Sequence, residues 1–298
     1  MTRRLPRNPG YRSAPWSPRA SAMPSSGTRL DDLPSALLVA SLLGYALTAL
    51  LTEDQLTDYG WRIPFLIGGV LGLLGIWLRR TLDETEQFGD NQARARALKN
   101  PLWITLRYHP KAVGQLVGFS MLSTLCYYTF FSALTPFAVK NRDADATDVF
   151  LALSIATALF IVLQYPMGAL SDRIGRKPQL LVWSAATAIL IVPLSTLVRP
   201  GLGNLLVAFC VGIALYTAMT SIAPAIMSEL FPTELRGLGI GAWYNLTVAI
   251  FGGTAPLVIQ ALARYDLSAM FFWYIAIGAV IAFFAIRTLP ETKAAELR

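Results

Sequence analysis

Eight long apolar segments constrain this chain more than any other feature of its sequence. Each is long enough to cross about 30 Å of hydrocarbon as a helix that rises ~1.5 Å per residue. Away from water the backbone must satisfy its own hydrogen bonds, so such segments are expected to be helices. We number them the first to the eighth span, and they run over residues 33–51, 62–78, 112–138, 149–170, 180–198, 205–227, 238–262 and 269–286.

The composition supports a membrane protein and argues against an enzyme. Hydrophobic residues make up 54% of the chain and charged residues 14%, whereas soluble domains carry about 25% charged residues. No Asp, Glu, Lys, Arg or His lies within the last six spans. We find no nucleophile, metal cluster or acid–base pair typical of a membrane enzyme, and we expect neither a catalytic site nor a bound metal or cofactor. The fold class predicted is therefore an all-α integral membrane protein.

The positive charge is distributed as in a membrane protein rather than a nucleic-acid-binding one. If the N-terminus lies in the cytoplasm and the spans alternate in direction, 20 of the 25 Lys and Arg residues lie on the cytoplasmic side. This asymmetry follows the positive-inside rule. We therefore predict a multi-pass protein of the inner (plasma) membrane with both termini in the cytoplasm, with the lipid bilayer and not nucleic acid as its surroundings.

The chain divides into five parts. Residues 1–32 form an arginine- and proline-rich basic leader, which we expect to be disordered because it cannot build a core. Two N-terminal spans (33–80), a cytoplasmic central loop (81–111), six C-terminal helices (112–290) and a cytoplasmic tail (291–298) follow. The leader has the composition of a transit peptide, but its prolines would break a targeting helix. A relocated start of translation is the other interpretation.

A short internal repeat indicates a transporter. The sequence RTLDET follows the second span and RTLPET follows the eighth, so five of six positions are identical. Both copies lie just inside the predicted cytoplasmic surface. Repeated halves are a hallmark of secondary transporters.

Two cytoplasmic connections carry motifs. GALSDRIGRK joins the fourth and fifth spans, and ELFPTELRG lies between the sixth and seventh. In the first motif, Gly168 can permit close approach of a neighbouring helix. Gly175 can permit a turn of the backbone. The charged groups can form an ion-pair network that acts as a conformational switch if it exists in only one state, although each exposed pair contributes only about 0–1 kcal/mol. The residues concerned are Gly168, Asp172, Arg173, Gly175, Arg176, Glu229 and Arg236.

These two motifs closely resemble the conserved cytoplasmic loops of the major facilitator superfamily. GWRIPF at 60–65, LDETEQF at 82–88, YYTF at 127–130 and YNL at 244–246 are similar to the metabolite:proton symporter family. That family carries organic acids such as citrate, oxoglutarate and shikimate, and osmolytes such as proline and betaine. The resemblance covers residues 33–298.

The resemblance implies twelve spans in two six-helix halves, of which this chain matches spans five to twelve. In the family, the first four helices contribute half of the substrate cavity and charged residues linked to proton coupling. We therefore expect a truncated form that does not carry out coupled transport alone, or a partner that supplies the other helices.

The resemblance also implies that the first and fifth helices of a six-helix half line the cavity. Our cavity-lining candidates are Tyr127, Tyr128, Gln164, Tyr244 and Asn245. Taken singly, such a polar group is more often a helix–helix hydrogen bond than a ligand contact. The predicted function is secondary active transport, a proton-coupled symport of a small organic acid or osmolyte by alternating access. The alternative is a non-transporting fragment or scaffold-like membrane protein derived from such a carrier.

Overall fold

The computed structural model describes residues 32–81, 105–107, 109–230 and 233–289, and this part of the chain is helical without strands. The main helices are Asp32–Leu50, Arg62–Thr81, Pro110–Tyr128, Leu134–Asn141, Ala146–Ile174, Arg176–Thr196, Leu202–Thr220, Ala223–Leu230, Thr233–Thr247, Gly253–Ala263 and Ser268–Arg287. A single turn at Glu53–Gln55 and π-helical turns at Leu56–Gly60, Thr129–Ala133 and Val248–Gly252 connect several of them.

Within the described ranges, seven helical segments are long and apolar enough to cross a membrane. They are Glu53–Trp77, Pro110–Asn141, Ala146–Ile174, Arg176–Thr196, Leu202–Met227, Ile240–Ala263 and Ser268–Arg287. A shorter apolar helix, Ser35–Leu50, corresponds to the first predicted span. The prediction of an all-α membrane protein with about eight spans is confirmed. The predictions for the leader before residue 32, for most of the central loop and for the tail fall outside the described residues.

The third and seventh spans each contain a π-helical turn just before a proline. Thr129–Ala133 precedes Pro136, and Val248–Gly252 precedes Pro256. A proline cannot donate a hydrogen bond to the carbonyl four residues earlier, and its ring crowds that carbonyl. A wider π-helical turn accommodates both effects and commonly marks a functional region of a helix.

The six C-terminal spans surround one hydrophobic core. On the third span Leu116, Phe119, Leu122 and Leu125 are fully buried, and because each follows the last by three residues, together they cover about half of the circumference of the helix. The third span packs against the seventh and eighth, the fourth packs against the sixth, and the fifth packs against the eighth. In lipid, close packing and interhelical hydrogen bonds hold such a bundle together.

The first two spans differ in how they join this bundle. The first packs along the fourth span, where the Thr147 hydroxyl donates a hydrogen bond to the Thr48 carbonyl oxygen at 3.3 Å. The second span is almost entirely exposed, as Phe65 with 74% of its surface accessible illustrates. Among the described residues, therefore, only the first of these two spans is docked.

Candidate functional site

A cluster of aromatic rings centres on Tyr127 in the third span. The centroid of the Tyr127 ring lies 5.3 Å from that of Tyr128, 5.4 Å from that of Phe131 and 6.3 Å from that of Tyr216. Tyr127 and Phe131 are four residues apart and so share one side of the helix. These separations are those of favourable edge-to-face and offset aromatic contacts. Tyr127, Tyr128 and Phe131 are half-buried and form the accessible part of the cluster.

The fourth and sixth spans supply the buried back of this ring cluster. Phe160 and Tyr216 stack with centroids 6.0 Å apart, and both are buried. The Phe131 ring lies 5.8 Å from Phe160 and 6.2 Å from Tyr216. The back of the cluster is therefore fixed by packing.

The seventh span packs against the third and carries Tyr244, which is half-buried and makes no ring contact with the cluster among the described residues. On the same span, Gly252 lets the Tyr128 ring come close to the helix backbone. A Cβ atom at that glycine would lie 2.4 Å from Cε2 of Tyr128, so any side chain there would collide with the ring. Of the five predicted cavity residues, Tyr127 and Tyr128 are thus in ring contact, while Tyr244 lies on a neighbouring span, and their role in solute binding stays a prediction.

The two amide side chains among the predicted cavity residues, Gln164 and Asn245, have different surroundings. The Gln164 side chain donates a hydrogen bond to the Thr220 hydroxyl at 3.0 Å and so links the fourth span to the sixth. The Asn245 side chain is exposed and donates to the Gly241 carbonyl of its own helix at 2.6 Å. Both groups therefore have a structural partner in this state, and a role for either in solute binding stays a prediction.

On the cytoplasmic side, Gly175 makes the turn between the fourth and fifth spans. One helix ends at Ile174 and the next begins at Arg176. Gly175 has a φ of 101°, a backbone conformation that glycine adopts readily and other residues rarely adopt. Gly168 differs from expectation, because a Cβ atom there would meet nothing within 4 Å. The close helix approach predicted at Gly168 is wrong for the described residues, since this part of the helix faces outward.

One ion pair joins the two cytoplasmic motifs. Arg176 pairs with Glu229, and both side chains are largely shielded, with 27% and 14% of their surfaces accessible. Asp172 is exposed and makes no ion pair with any residue that the structure describes, while Arg173 is also exposed. The side chain of Arg236 lies outside the described part. Among the residues that the structure describes, Arg176 and Glu229 thus connect the two motifs, and a switch role for the wider set stays a prediction.

The end of the eighth span is held by two side chains that the sequence analysis did not single out. The Gln115 amide donates to the Thr288 carbonyl at 2.8 Å and to its hydroxyl at 3.0 Å. The Lys177 ammonium donates to the Leu289 carbonyl at 2.8 Å. Thr288 and Leu289 belong to the second copy of the internal repeat, so this copy is an anchoring point for the third and fifth spans.

Comparison with known proteins shows which family this chain belongs to. Residues 116–298 match the profile of the family described as Major Facilitator Superfamily, which is more than half of the chain. This chain belongs to the major facilitator superfamily. The matched region includes the ring cluster and both cytoplasmic motifs, so these features lie in the facilitator bundle.

Several curated relatives in this superfamily are transporters by name. The chain is 32% identical to the alpha-ketoglutarate permease of Escherichia coli K12, over 83% of its own length and 56% of the relative. It is 29% identical to the Ectoine/proline transporter ProP of Corynebacterium glutamicum, over 86% and 53%. It is 25% identical to the Proline/betaine transporter of E. coli K12, over 83% and 51%. The chain therefore spans about half the length of the curated relatives it matches.

The ring cluster of this superfamily member offers aromatic faces and phenol hydroxyl groups at membrane depth. Sequence reasoning did not include Phe131, Phe160 or Tyr216 among the site residues. A weak signal existed, since Phe131 follows Tyr127 by four residues and Phe160 precedes Gln164 by four, which places each pair on one helix face. That signal does not distinguish a binding surface from an ordinary packing contact.

Proposed function

We propose that this protein binds a small metabolite, an organic acid or an osmolyte, at the ring cluster and serves in its proton-coupled symport by alternating access. The observation that carries the proposal is the half-buried aromatic surface that Tyr127, Tyr128 and Phe131 form on a facilitator bundle. The names of the relatives add support, because they include ketoglutarate, ectoine, proline and betaine.

Alternating access requires two walls that rock around a central site. The described six-helix bundle provides one wall, and the first span docks beside its fourth span. The ring cluster therefore needs helices facing it before it encloses a solute, and we propose that further helices or a partner chain provide them. The shielded Arg176–Glu229 pair would hold the cytoplasmic ends of the fifth and sixth spans together in one state and separate in the other.

Equilibrium binding tests the site. The 298-residue chain is placed in lipid nanodiscs, and binding of radiolabelled α-ketoglutarate, proline and glycine betaine is measured. We expect Tyr127→Ala and Asn245→Ala to weaken binding, with the dissociation constant rising roughly tenfold for a loss of ~1.4 kcal/mol. Cys210→Ala is the control, since this half-buried thiol has no assigned role. Unchanged affinity in both variants would reject the site.

Proton-driven uptake into liposomes tests the transport step. We expect the 298-residue chain alone to show no gradient-dependent accumulation, because the described helices form only one wall of the site. A chimera that places the N-terminal helices of the alpha-ketoglutarate permease before residue 32 is expected to accumulate the solute. Accumulation by the chain alone would show that a second wall is unnecessary.

A second candidate is a membrane protein that binds the solute without transporting it. The exposed second span favours this candidate, because Phe65, Leu66 and Leu73 have more than half of their surfaces accessible. A chimera that inserts and binds solute but never accumulates it would support this function.

The orientation is proposed separately. We propose that the protein lies in the inner membrane with both termini in the cytoplasm, as the charge asymmetry suggests. Green fluorescent protein fused to the C-terminus fluoresces when that terminus lies in the cytoplasm. Alkaline phosphatase fused there is active when the terminus lies on the other side of the membrane. Fluorescence without phosphatase activity is expected, and the reverse pattern would show the opposite orientation.

A further inference from the structure

A small cavity lies between the third, fifth and sixth spans, behind the ring cluster. Tyr216, which forms the buried back of that cluster, is also part of the cavity wall. The cavity has room for about one water molecule. The lining residues that matter for its chemistry are Cys126, Phe130, Trp183, Thr187, Gly212 and Tyr216.

An irregularity in helix packing accompanies this cavity. The third span is widened by its π-helical turn at Thr129–Ala133, and this turn carries Phe130. The Phe130 ring packs into the notch that Gly212 leaves on the sixth span, where an added Cβ atom would collide with the ring. The space therefore lies where the third span departs from regular α-helical geometry.

One polar group in the wall of the cavity has no protein partner. Trp183 is 1% exposed, and its indole nitrogen, Nε1, has no hydrogen-bond acceptor among the groups that the structure describes. An unpaired donor in the interior is costly, and nearly all buried polar groups in proteins are paired with protein or with ordered water. An acceptor inside the cavity would account for this donor.

The cavity wall restricts what the acceptor can be. None of the described residues that line it is charged, so an ion would be buried without a counter-charge. An apolar molecule would leave the Trp183 N–H unpaired, and a larger solute would not fit. Water fits the space and can accept the hydrogen bond from Trp183.

A water molecule in this cavity would also find acceptors for its own hydrogens. The Thr187 hydroxyl donates its proton to the Trp183 carbonyl oxygen at 2.8 Å, and its oxygen can still accept a hydrogen bond. The Cys126 sulfur is a weaker acceptor. Two to four polar partners are what a buried water requires.

We propose that this cavity is a binding site for a single buried water molecule, which accepts a hydrogen bond from Trp183 Nε1 and donates to Thr187 Oγ1 and Cys126 Sγ. The water links the fifth span to the third behind the ring cluster. The site needs neither a bound solute nor a second wall, so it stands independently of the proposed function.

Radiolytic footprinting of the 298-residue chain in nanodiscs tests this site. X-rays split water where it lies, and the hydroxyl radical that forms oxidises the side chains in contact with it, as mass spectrometry can detect. We expect Trp183 and Cys126 to be oxidised despite their burial. Met219 is the internal control, because it is easily oxidised, is as buried as Cys126 at 2% exposed, and does not line the cavity. We expect Met219 to stay unmodified at doses that oxidise Trp183.

Substitutions test the two groups that hold the water. Thr187→Val removes the hydroxyl acceptor with little change of shape, and we expect the oxidation of Trp183 to fall to the level of Met219. Trp183→Phe removes the donor, and the oxidation of Cys126 is expected to fall to the same level. Ser184→Ala is the matched control, because the fully buried Ser184 hydroxyl donates to a carbonyl of its own helix and does not line the cavity. We expect it to leave the oxidation of Trp183 unchanged.

Two results would overturn the proposal. Oxidation of Trp183 and Cys126 no faster than that of Met219 in the unsubstituted chain would show that the cavity is dry. Equal oxidation of Trp183 in the parent, in Thr187→Val and in Ser184→Ala would show that Thr187 does not hold the water. The comparison within the unsubstituted chain remains decisive if a variant fails to fold. Solute binding enters none of these measurements, so a failure of the proposed function would be seen separately.

Discussion

Gly252→Ala tests whether the seventh span positions the solute site. Gly252 ends the π-helical turn of this span, and the Tyr128 ring lies against it. An added Cβ atom would lie 2.4 Å from Cε2 and 2.7 Å from Cδ2 of Tyr128, and 2.7 Å from Cγ2 of Thr124. Carbon atoms pack at about 3.5–4.0 Å, so the ring must move by roughly 1 Å. This movement would take Tyr128 out of its contact with Tyr127.

The expected magnitude follows from the surroundings of Tyr128. Overpacking a well-packed contact costs about 1–3 kcal/mol. The Tyr128 ring is half-buried and can shift toward its open side, so we expect the lower part of this range, about 1–2 kcal/mol of unfolding free energy. If solute binding needs the original ring position, the same energy raises the dissociation constant about five- to thirtyfold. Unfolding in mixed micelles and betaine binding in nanodiscs measure the two effects.

Gly253→Ala is the matched control, since a Cβ atom at this neighbouring glycine meets nothing within 4 Å. We expect the unfolding free energy of Gly253→Ala to stay within about 0.5 kcal/mol of that of the parent. A Tyr128→Ala background removes the main collision, so the effect of Gly252→Ala should shrink there. If Gly252→Ala and Gly253→Ala behave alike in both assays, Gly252 does not position Tyr128.

Three further predictions concern the cytoplasmic ion pair, Asp172 and the thiols. Glu229→Gln leaves the shielded Arg176 without its carboxylate, so we expect a loss of about 1–2 kcal/mol in unfolding free energy, between the values for exposed and buried pairs. Asp172→Asn should change the unfolding free energy by less than about 0.5 kcal/mol but impair transport by the chimera. A transport rate equal to that of the parent would show that this loop only anchors the protein. A lipid-soluble maleimide should label half-buried Cys210 faster than buried Cys126, as mass spectrometry can determine; the reverse order would contradict their burial.

The local features of this protein could be predicted from its sequence. A span is recognised by a run of apolar residues, and the bilayer imposes helical structure on such a run whatever its neighbours are. The turn at Gly175 was also predictable, because a short connection between two spans requires a backbone conformation that glycine provides. The cytoplasmic motifs pointed to an ion-pair network among five charged residues, and the described part of the chain shows the pair of Arg176 with Glu229.

Only the tertiary structure decided which polar and aromatic groups share a surface. The sequence shows Tyr127, Gln164, Tyr216 and Asn245 at similar depths, but depth does not tell which way a side chain points or which partner satisfies it. Packing of spans distant in sequence placed Tyr216 behind Tyr127 and gave Gln164 a hydrogen bond to Thr220. The physical reason is that helix formation depends on each segment alone, whereas helix packing depends on how the surfaces of several segments fit together.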